Sequence, residues 1–526
     1  MALIVGDNLN NPNLNGGAED DIIVGLGGND TLRGLGGEDI LSGGDNNDSL
    51  DGGANDDILD GGDGNDTLDG GTGDDVMDGG AGSDRLIWNN GDGNDFMNGG
   101  TDTDTVEVNG SDGDAGDLFE LSQDDATVPN DVVFQRTNLG PFSLSVNNVE
   151  RFEVNGLNGN DRLIVNNLSG TDVSRVTFNG GAGNDTLDGS LTTTVLVGNG
   201  GLGNDSLTGG SNSDTLSGDD GNDTINGGAG SDRIIWDVGN DNDLINGGTG
   251  TDTVEINGSV FVGDTFRLNQ DASGNAIFHH IQPNPGGLPL LLAALTVDQV
   301  ERFQVIGNEG NDRLDVDNLS TTSVTQVRFS GGDGNDTLDG SDSTTALVGF
   351  GDDNNDSLIG GSSNDNLSGG DGNDTLRGGG GNDTLTGGLG NDRFEFRSSI
   401  AFNATITVSG FPVDPNLGVD QITDFDPNSP FILNDSFDQI ILDNDIFTSL
   451  LTPAGNALAA QEFAVVDFDS LAADSDARIV YSRGTGRLFY NQDSDNGDPA
   501  SFGTGGLFAV LDANLNLTNI DFQVVA

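Results

Sequence analysis

Aspartate recurs every ninth residue near the start of this 526-residue chain, at Asp21, Asp30, Asp39, Asp48, Asp57, Asp66, Asp75 and Asp84. Two places after each stands a large aliphatic side chain, at Ile23, Leu32, Leu41, Leu50, Leu59, Leu68, Met77 and Leu86. Glycine fills the first, second and usually fourth places of the same unit, as in GGDGNDTLD at residues 61–69. Glycine there lets the backbone take positive φ and turn tightly, with carbonyl oxygens free to point inward. Each unit offers one carboxylate, several carbonyls and one side chain to bury.

That donor set suits a hard cation. Calcium takes six to eight oxygen ligands from carboxylates and carbonyls alike, whereas zinc and copper favour His or Cys. The chain has no Cys, and its only two His are the adjacent pair His279 and His280, which lack the i, i+4 spacing of a zinc helix and are expected to be ordinary strand or loop residues. Calcium is therefore the expected cofactor. Its candidate ligands continue at Asp95 and Asp104, then at Asp185, Asp205, Asp214, Asp223, Asp232, Asp243 and Asp252, and again at Asp336, Asp356, Asp365, Asp374, Asp383 and Asp392. Asp161 and Asp312 sit in shortened turns, GLNGND and GNEGND, where a ligand and a simple turn closer are equally good readings. Units GSLTTTVLV and GSDSTTALV carry Thr194 and Thr345 in place of the Asp and are expected to bind nothing. Units with Glu19, Asn46 or Asn55 at the fourth place are expected to be weaker or distorted sites.

The residues around each Asp must form very short elements. The glycine turn leaves three residues, x-U-x with U aliphatic, as a minimal strand, and a repeat of nine is a solenoid period. The unit G-G-x-G-x-D-x-U-x resembles the repeats-in-toxin (RTX) family, with hemolysin-type calcium-binding nonapeptides, and the resemblance covers most of the chain. It implies an all-β fold: a parallel β-roll, or β-helix solenoid, with two nonapeptides per coil and ions between turns stacked on one edge. Asp residues would then pair eighteen apart, Asp21, Asp39, Asp57 and Asp75 along one edge and Asp30, Asp48, Asp66 and Asp84 along the other.

Three arrays are separated by two inserts. The expected boundaries are a leader and first array over 1–107, an insert over 108–179, a second array over 180–255, a second insert over 256–330, a third array over 331–395 and a C-terminal β cap over 396–526. The inserts are duplicates, since NNVERFEVNGLNGNDRLIVNNLS matches DQVERFQVIGNEGNDRLDVDNLS. The pieces AGSDRLIWNN and AGSDRIIWDV match too, placing Trp88 and Trp236 equivalently, so about 150 residues have been duplicated in tandem. Alternation such as Phe152, Val154 and Leu163, Val165 reads as strands, and the solenoid is expected to continue through the inserts in wider coils. Aromatics at equivalent places are first of all packing; a sugar-stacking face is the less favoured reading. Beyond residue 395 glycine becomes scarce and Phe frequent, and both Tyr, Tyr481 and Tyr490, lie there, which marks a different domain. Runs FDQIIL, EFAVVDF, ARIVYS and GRLFYNQ suggest strands of a compact cap that covers the solenoid's open end. GVDQITDFDP, LFYNQDSDNGD and NIDFQVVA resemble the C-terminal domain of secreted RTX proteins, which implies an uncleaved signal read by type I secretion machinery. Asp493, Asp495 and Asp498 are expected to form an Asx-rich turn before an EF-hand, because Gly497 stands one place early.

The formal net charge is −71. Stacked carboxylates repel one another, and one aliphatic residue in nine makes a thin core, so most of the chain is expected to be disordered without metal. Each site with calcium at about ten times its dissociation constant adds roughly 1.4 kcal/mol, and some twenty sites exceed the usual ~5–15 kcal/mol stability of a domain. A shapeless acidic tail would not hold aliphatics in a nine-residue register. The charge argues against nucleic acid and against direct docking on anionic lipid, and no apolar run approaches a spanning helix. MALIVGDNLNN lacks the features of a Sec signal. H-E-x-x-H, G-x-S-x-G, a P-loop and a Cys nucleophile are all missing, and the array, beginning by residue 16, leaves no stretch for a catalytic domain. The expectation is a secreted, extracellular, non-enzymatic calcium-binding protein of the cell surface or matrix, without a transmembrane segment. The alternative is a calcium-dependent adhesin or carbohydrate-binding protein that uses the inserts, with cell-surface polysaccharide as partner. A hydrolase with an unrecognised site is the third.

Overall fold

The computed structural model describes residues 1–396 apart from 114, 124–130, 139 and 283–289, and then residues 420–425, 438–443, 450, 452–467, 475, 477–490, 507–511, 513, 515, 517–518 and 521–525. The fold is all-β. Among the described residues helical structure is limited to 3-10 turns, as at Ala460–Glu462, and no helix is long and apolar enough to cross a membrane. The chain forms two compact units, Met1–Thr253 and Val254–Ala526.

In the first unit two nonapeptides make one coil of a parallel solenoid. One sheet stacks Ile22–Gly27, Ile40–Asp45, Ile58–Asp63 and Val76–Ala81, in the register Ile22 to Ile40 to Ile58 to Val76. The other stacks Thr31–Arg33, Ser49–Ala54, Thr67–Thr72 and Arg85–Asn89. Because side chains alternate between the faces of a strand, only the aliphatic place of each unit points inward. Leu41, Leu59 and Met77 line the interior from one side and Leu32, Leu50 and Leu68 from the other, all fully buried. The turn between strands needs left-handed backbone. Gly62 and Gly64 take φ of 104° and 155°, and Asn46 and Asn55 take 76° and 80° at their fourth places, so those departures keep the turn.

The first insert affects the two sheets differently. In one, parallel pairing runs in register through Arg85–Asn89, Thr105–Asn109, Arg151–Asn158, Arg175–Ala182 and Val195–Leu202. In the other, Asp131–Arg136 and Phe142–Asn147 form antiparallel partners between Leu118–Gln123 and Phe96–Thr101. That hairpin was not legible in the sequence alternation, which does not distinguish parallel from antiparallel neighbours. Its Phe134 and Phe142 thicken the core beside Phe119 and Phe152 of the neighbouring strands.

The second unit repeats the plan. Thr265–Gln270, Ala276–Gln282 and Leu290–Asp298 pair antiparallel, and Thr265–Gln270 pairs parallel with Arg313–Val316. Coils then stack through Arg393–Phe396 in one sheet and Thr384–Leu389 in the other. The last coil pairs onward with C-terminal strands: Gln439–Asp443 joins Arg393–Phe396 and then Phe522–Val525, while Asp420–Ile422 joins Thr384–Leu389 and Leu507–Val510. Ile479–Ser482 and Arg487–Tyr490 form a hairpin there, packed around Val480 and Phe489.

Candidate metal centre

The aspartates form ladders along the edges of the coils. In the first unit Asp21 N–H donates to Asp39 Oδ1 at 2.6 Å, Asp39 to Asp57 at 2.7 Å and Asp57 to Asp75 at 2.7 Å. The other edge runs Asp30, Asp48, Asp66, Asp84, Asp104 in the same way. Each carboxylate thus ties its own turn to the turn one coil before it.

One oxygen of each carboxylate is spent on that bond, and the second is left over. Oδ2 is buried and without a hydrogen-bond partner in Asp30, Asp39, Asp48, Asp57, Asp66, Asp75, Asp84, Asp95 and Asp104. The same holds for Asp161, Asp185, Asp205, Asp223 and Asp232, and for Asp312, Asp336, Asp356, Asp374, Asp383 and Asp392. A buried, unpartnered carboxylate oxygen is costly, and so regular a series of them calls for a common partner.

The surroundings of Oδ2 fit a cation. A Cβ placed on Gly52 would lie 2.6 Å from Asp57 Oδ2 and 2.5 Å from the Gly70 carbonyl oxygen; on Gly61 it would meet Asp66 Oδ2 and the Gly79 carbonyl oxygen, both at 2.5 Å. The first glycine of each unit therefore keeps open a small cradle rimmed by a carboxylate and a carbonyl from the next coil. Among the described residues no three His, Cys, Asp or Glu side chains converge, so a metal here would draw on backbone carbonyls for its remaining ligands, as calcium does.

Burial, reinforced by the neighbouring carboxylates, lifts these acids above the usual carboxylate range. Asp57 and Asp66 are pushed up to about 7 and Asp48 to about 6, against the lowering effect of the backbone N–H each accepts. Asp185, Asp232 and Asp243 rise to about 7 and Asp356 to about 8, for the same first reason. At neutral pH such groups demand a proton or a positive ion.

The remaining candidates differ in detail. Asp243 and Asp252 are buried and accept the N–H of Asp223 and Asp232. Asp21, Asp214 and Asp365 turn Oδ2 to a backbone N–H of their own turn, from Gly17, Gly210 and Gly361, at 2.8, 2.7 and 2.7 Å. Asp161 and Asp312 stand inside ladders, donating to Asp185 and Asp336 and accepting from Asp117 and Asp264. Thr194 and Thr345 are buried, and the N–H groups of Leu196 and Leu347 take over the bonds to Asp214 and Asp365. His280, expected to be an ordinary strand residue, is in a strand but buried with Nε2 3.0 Å from Asp264 Oδ1. Trp88 and Trp236 are core residues, each about 1% exposed, and present no stacking face. Asp493, Asp495 and Asp498 lie outside the described residues.

Five ladder members were missed from sequence. Asp117 and Asp264 head ladders, Asp438 accepts from Asp392 at 3.0 Å, Asp420 accepts from Asp383 at 3.3 Å, and Glu150 accepts from Asp104 at 2.8 Å. All lack the glycine pair five residues ahead. The signal that finds them is the acid-x-apolar triplet alone, as in Asp117-Leu118-Phe119, Asp420-Gln421-Ile422 and Glu150-Arg151-Phe152.

A family model, the RTX calcium-binding nonapeptide repeat, matches residues 15–50, 51–86, 175–191, 199–234, 237–255, 328–344, 350–385 and 359–394. These stretches hold most of the orphaned oxygens, while those of Asp95, Asp104, Asp161 and Asp312 lie outside them. No curated protein matches the chain.

Proposed function

Because the chain is built of RTX calcium-binding nonapeptide repeats, a family that binds Ca2+, we propose that it is a secreted protein whose solenoid folds on taking up calcium outside the cell. The ligands would be the ladder aspartates with orphaned Oδ2, together with carbonyls of the glycine turns; Asp21, Asp214 and Asp365, whose second oxygen already has a backbone donor, would be the weak sites. The observation that carries this reading is the buried, partnerless Oδ2 facing a carbonyl-rimmed cradle, repeated coil after coil. A cation there satisfies the oxygen and cancels the repulsion between stacked carboxylates. Proteins of this family are typically exported by type I systems, and a chain held unfolded at low cytosolic calcium could be threaded out and folded on arrival.

The role outside is non-enzymatic on this reading, as a component of the cell surface or matrix, with the C-terminal strands capping the last coil. The test is far-UV circular dichroism of the purified chain during calcium titration, with magnesium as control. A cooperative, chelator-reversible gain of β signal with calcium is expected. A folded spectrum in chelator, unchanged by calcium, would refute the proposal.

A further inference from the structure

Asp117 and Asp264 are buried ladder carboxylates whose Oδ1 faces a side-chain nitrogen instead of the N–H of an earlier Asp, and both stand where an insert interrupts a sheet. Asp117 is fully buried. Its Oδ2 accepts the Ser111 N–H at 2.7 Å, and its Oδ1 accepts Arg136 Nη1 at 3.1 Å. Arg136 is 3% exposed, and its remaining donors reach Asn90 Oδ1 at 2.8 Å and the Gly140 carbonyl at 2.9 and 3.2 Å. Its guanidinium lies 5.5 Å from the Trp88 ring and 5.2 Å from that of Phe142, and those rings stack at 3.7 Å.

The second insert has the same arrangement with a different side chain. Asp264 Oδ2 accepts the Ser259 N–H at 2.6 Å, and Oδ1 lies 3.0 Å from His280 Nε2. Arg136 pairs opposite Phe119, two places after Asp117; His280 pairs opposite Phe266, two places after Asp264. Along a ladder, Oδ1 accepts the N–H of the Asp one coil earlier. Here an antiparallel hairpin has taken that coil's place, and a side chain of the hairpin supplies the donor.

We propose that Arg136 supplies at Asp117 the positive charge that calcium supplies along the ladders, so that the antiparallel hairpin of the first insert is a metal-free folded seed on which the calcium-dependent coils assemble; in the second insert the same place holds an imidazole, His280, rather than a guanidinium. The inference rests on the calcium reading of the ladders and deepens it by marking which carboxylates need no metal. A guanidinium is always charged, and each of this one's three nitrogens has an acceptor, the condition under which a buried ion pair is tolerated. The packing agrees. An array coil buries one aliphatic side chain per nonapeptide, whereas the insert brings Phe134 within 5.3 Å of Phe119 and 6.2 Å of Phe152, ring to ring, beside Trp88 and Phe142. The hairpin's contacts are also local in sequence, which favours early formation.

The two tryptophans make the test direct, because Trp88 packs on the insert and Trp236 lies in Arg233–Asp237 of the second array. Full-length Trp236→Phe and Trp88→Phe each leave one emitter. In chelator at pH 8, Trp88 is expected to keep a blue, iodide-shielded emission, while Trp236 emits as in water and shifts blue only when calcium is added. Both shielded in chelator would overturn the calcium reading itself; an exposed Trp88 would overturn the seed alone. Arg136→Met in the Trp88-only chain is expected to lose the chelator-state signal, because it strands a buried charge, and Arg136→Met with Asp117→Asn is expected to restore it. A chelator-state signal indifferent to Arg136→Met would refute the role of the guanidinium. Equilibrium dialysis adds a second readout: Asp117→Asn should bind as many calcium ions as the parent chain, and the loss of one would overturn the assignment.

Discussion

Asp57→Asn should shift stability in opposite directions with and without calcium. The Asn side chain keeps an oxygen to accept the Asp39 N–H, a 2.7 Å bond, and replaces only the partnerless Oδ2. With free calcium at about a hundred times the dissociation constant, one site contributes roughly 2.7 kcal/mol, and the substitution forfeits it. Without calcium the sign reverses. Burial raises the Asp57 carboxyl from 3.8 to about 7, so keeping it ionised in the folded state at pH 8 costs up to about 4 kcal/mol at ~1.36 kcal/mol per pH unit. Water entry and relaxation leave about half of that. The neutral amide removes that cost, for a net gain of about 2 kcal/mol. The assay is the urea midpoint in saturating calcium, set beside the concentration of a folding osmolyte needed to fold the chain in chelator. The midpoint should fall and the osmolyte requirement should fall too. Equal destabilisation in both conditions would mean that Asp57 is only a hydrogen-bond acceptor, and the cation argument would fail.

Four other outcomes follow from the same geometry. In chelator, β-type circular dichroism should grow as pH falls from 8 to 5: Asp48, Asp57 and Asp66 have folded values of about 6 to 7, above the unfolded 3.8, so protonation stabilises the fold, fully below about 4 and lost as pH rises through 6 to 7. Calcium affinity, followed by titration calorimetry, should weaken over that window as protons compete. Gly52→Ala would put its methyl 2.6 Å from Asp57 Oδ2 and 2.5 Å from the Gly70 carbonyl oxygen, closing the cradle, whereas a Cβ on Gly36 meets nothing within 4 Å. Calorimetry should therefore show one site lost for Gly52→Ala and none for Gly36→Ala. Leu59→Ala empties a fully buried place in a core one side chain thick, and the urea midpoint in calcium should report a loss of about 2–5 kcal/mol.

The places of residues such as Asp57 and Leu59 are legible in the sequence because the nine-residue period carries turn, carboxylate and core in fixed order. The edges on which Asp21, Asp39, Asp57 and Asp75 stack follow from two units per coil. What the sequence hid lies where one of those signals is missing. Asp117 and Asp264 have no glycine pair ahead of them: a single glycine, Gly110 or Gly258, rims the cradle, and the residue after it, Ser111 or Ser259, donates its N–H to Oδ2. The ion pair of Arg136 with Asp117 joins strands whose antiparallel order no periodicity announces. His280 gave only an unremarkable adjacent pair, and its contact with Asp264 depends on the same hairpin. Asp420 and Asp438 were passed over because the strands around them looked like a separate cap, although each continues a ladder of the last coils.

The bonding of a single carboxylate explains why such a solenoid should fold all at once. Asp57 Oδ1 holds the N–H of Asp39 in the coil before, while the cradle at its Oδ2 is completed by the Gly70 carbonyl of the coil after. A cation in that cradle therefore cannot be held until the following coil is stacked, and the following coil, carrying its own ionised Asp75, is repelled until the cation arrives. Binding and stacking are each the precondition of the other. In a chain whose coils touch only their neighbours, that coupling is the nearest-neighbour term of a one-dimensional array. It predicts a calcium dependence of folding much steeper than one ion per transition, and a steepness reduced by any substitution that uncouples adjacent coils, Asp57→Asn in the middle of the first array more than Asp39→Asn near its end. A calcium titration no steeper than independent sites allow, unchanged by either substitution, would show that the carboxylates act one at a time and that the ladder is only a stack.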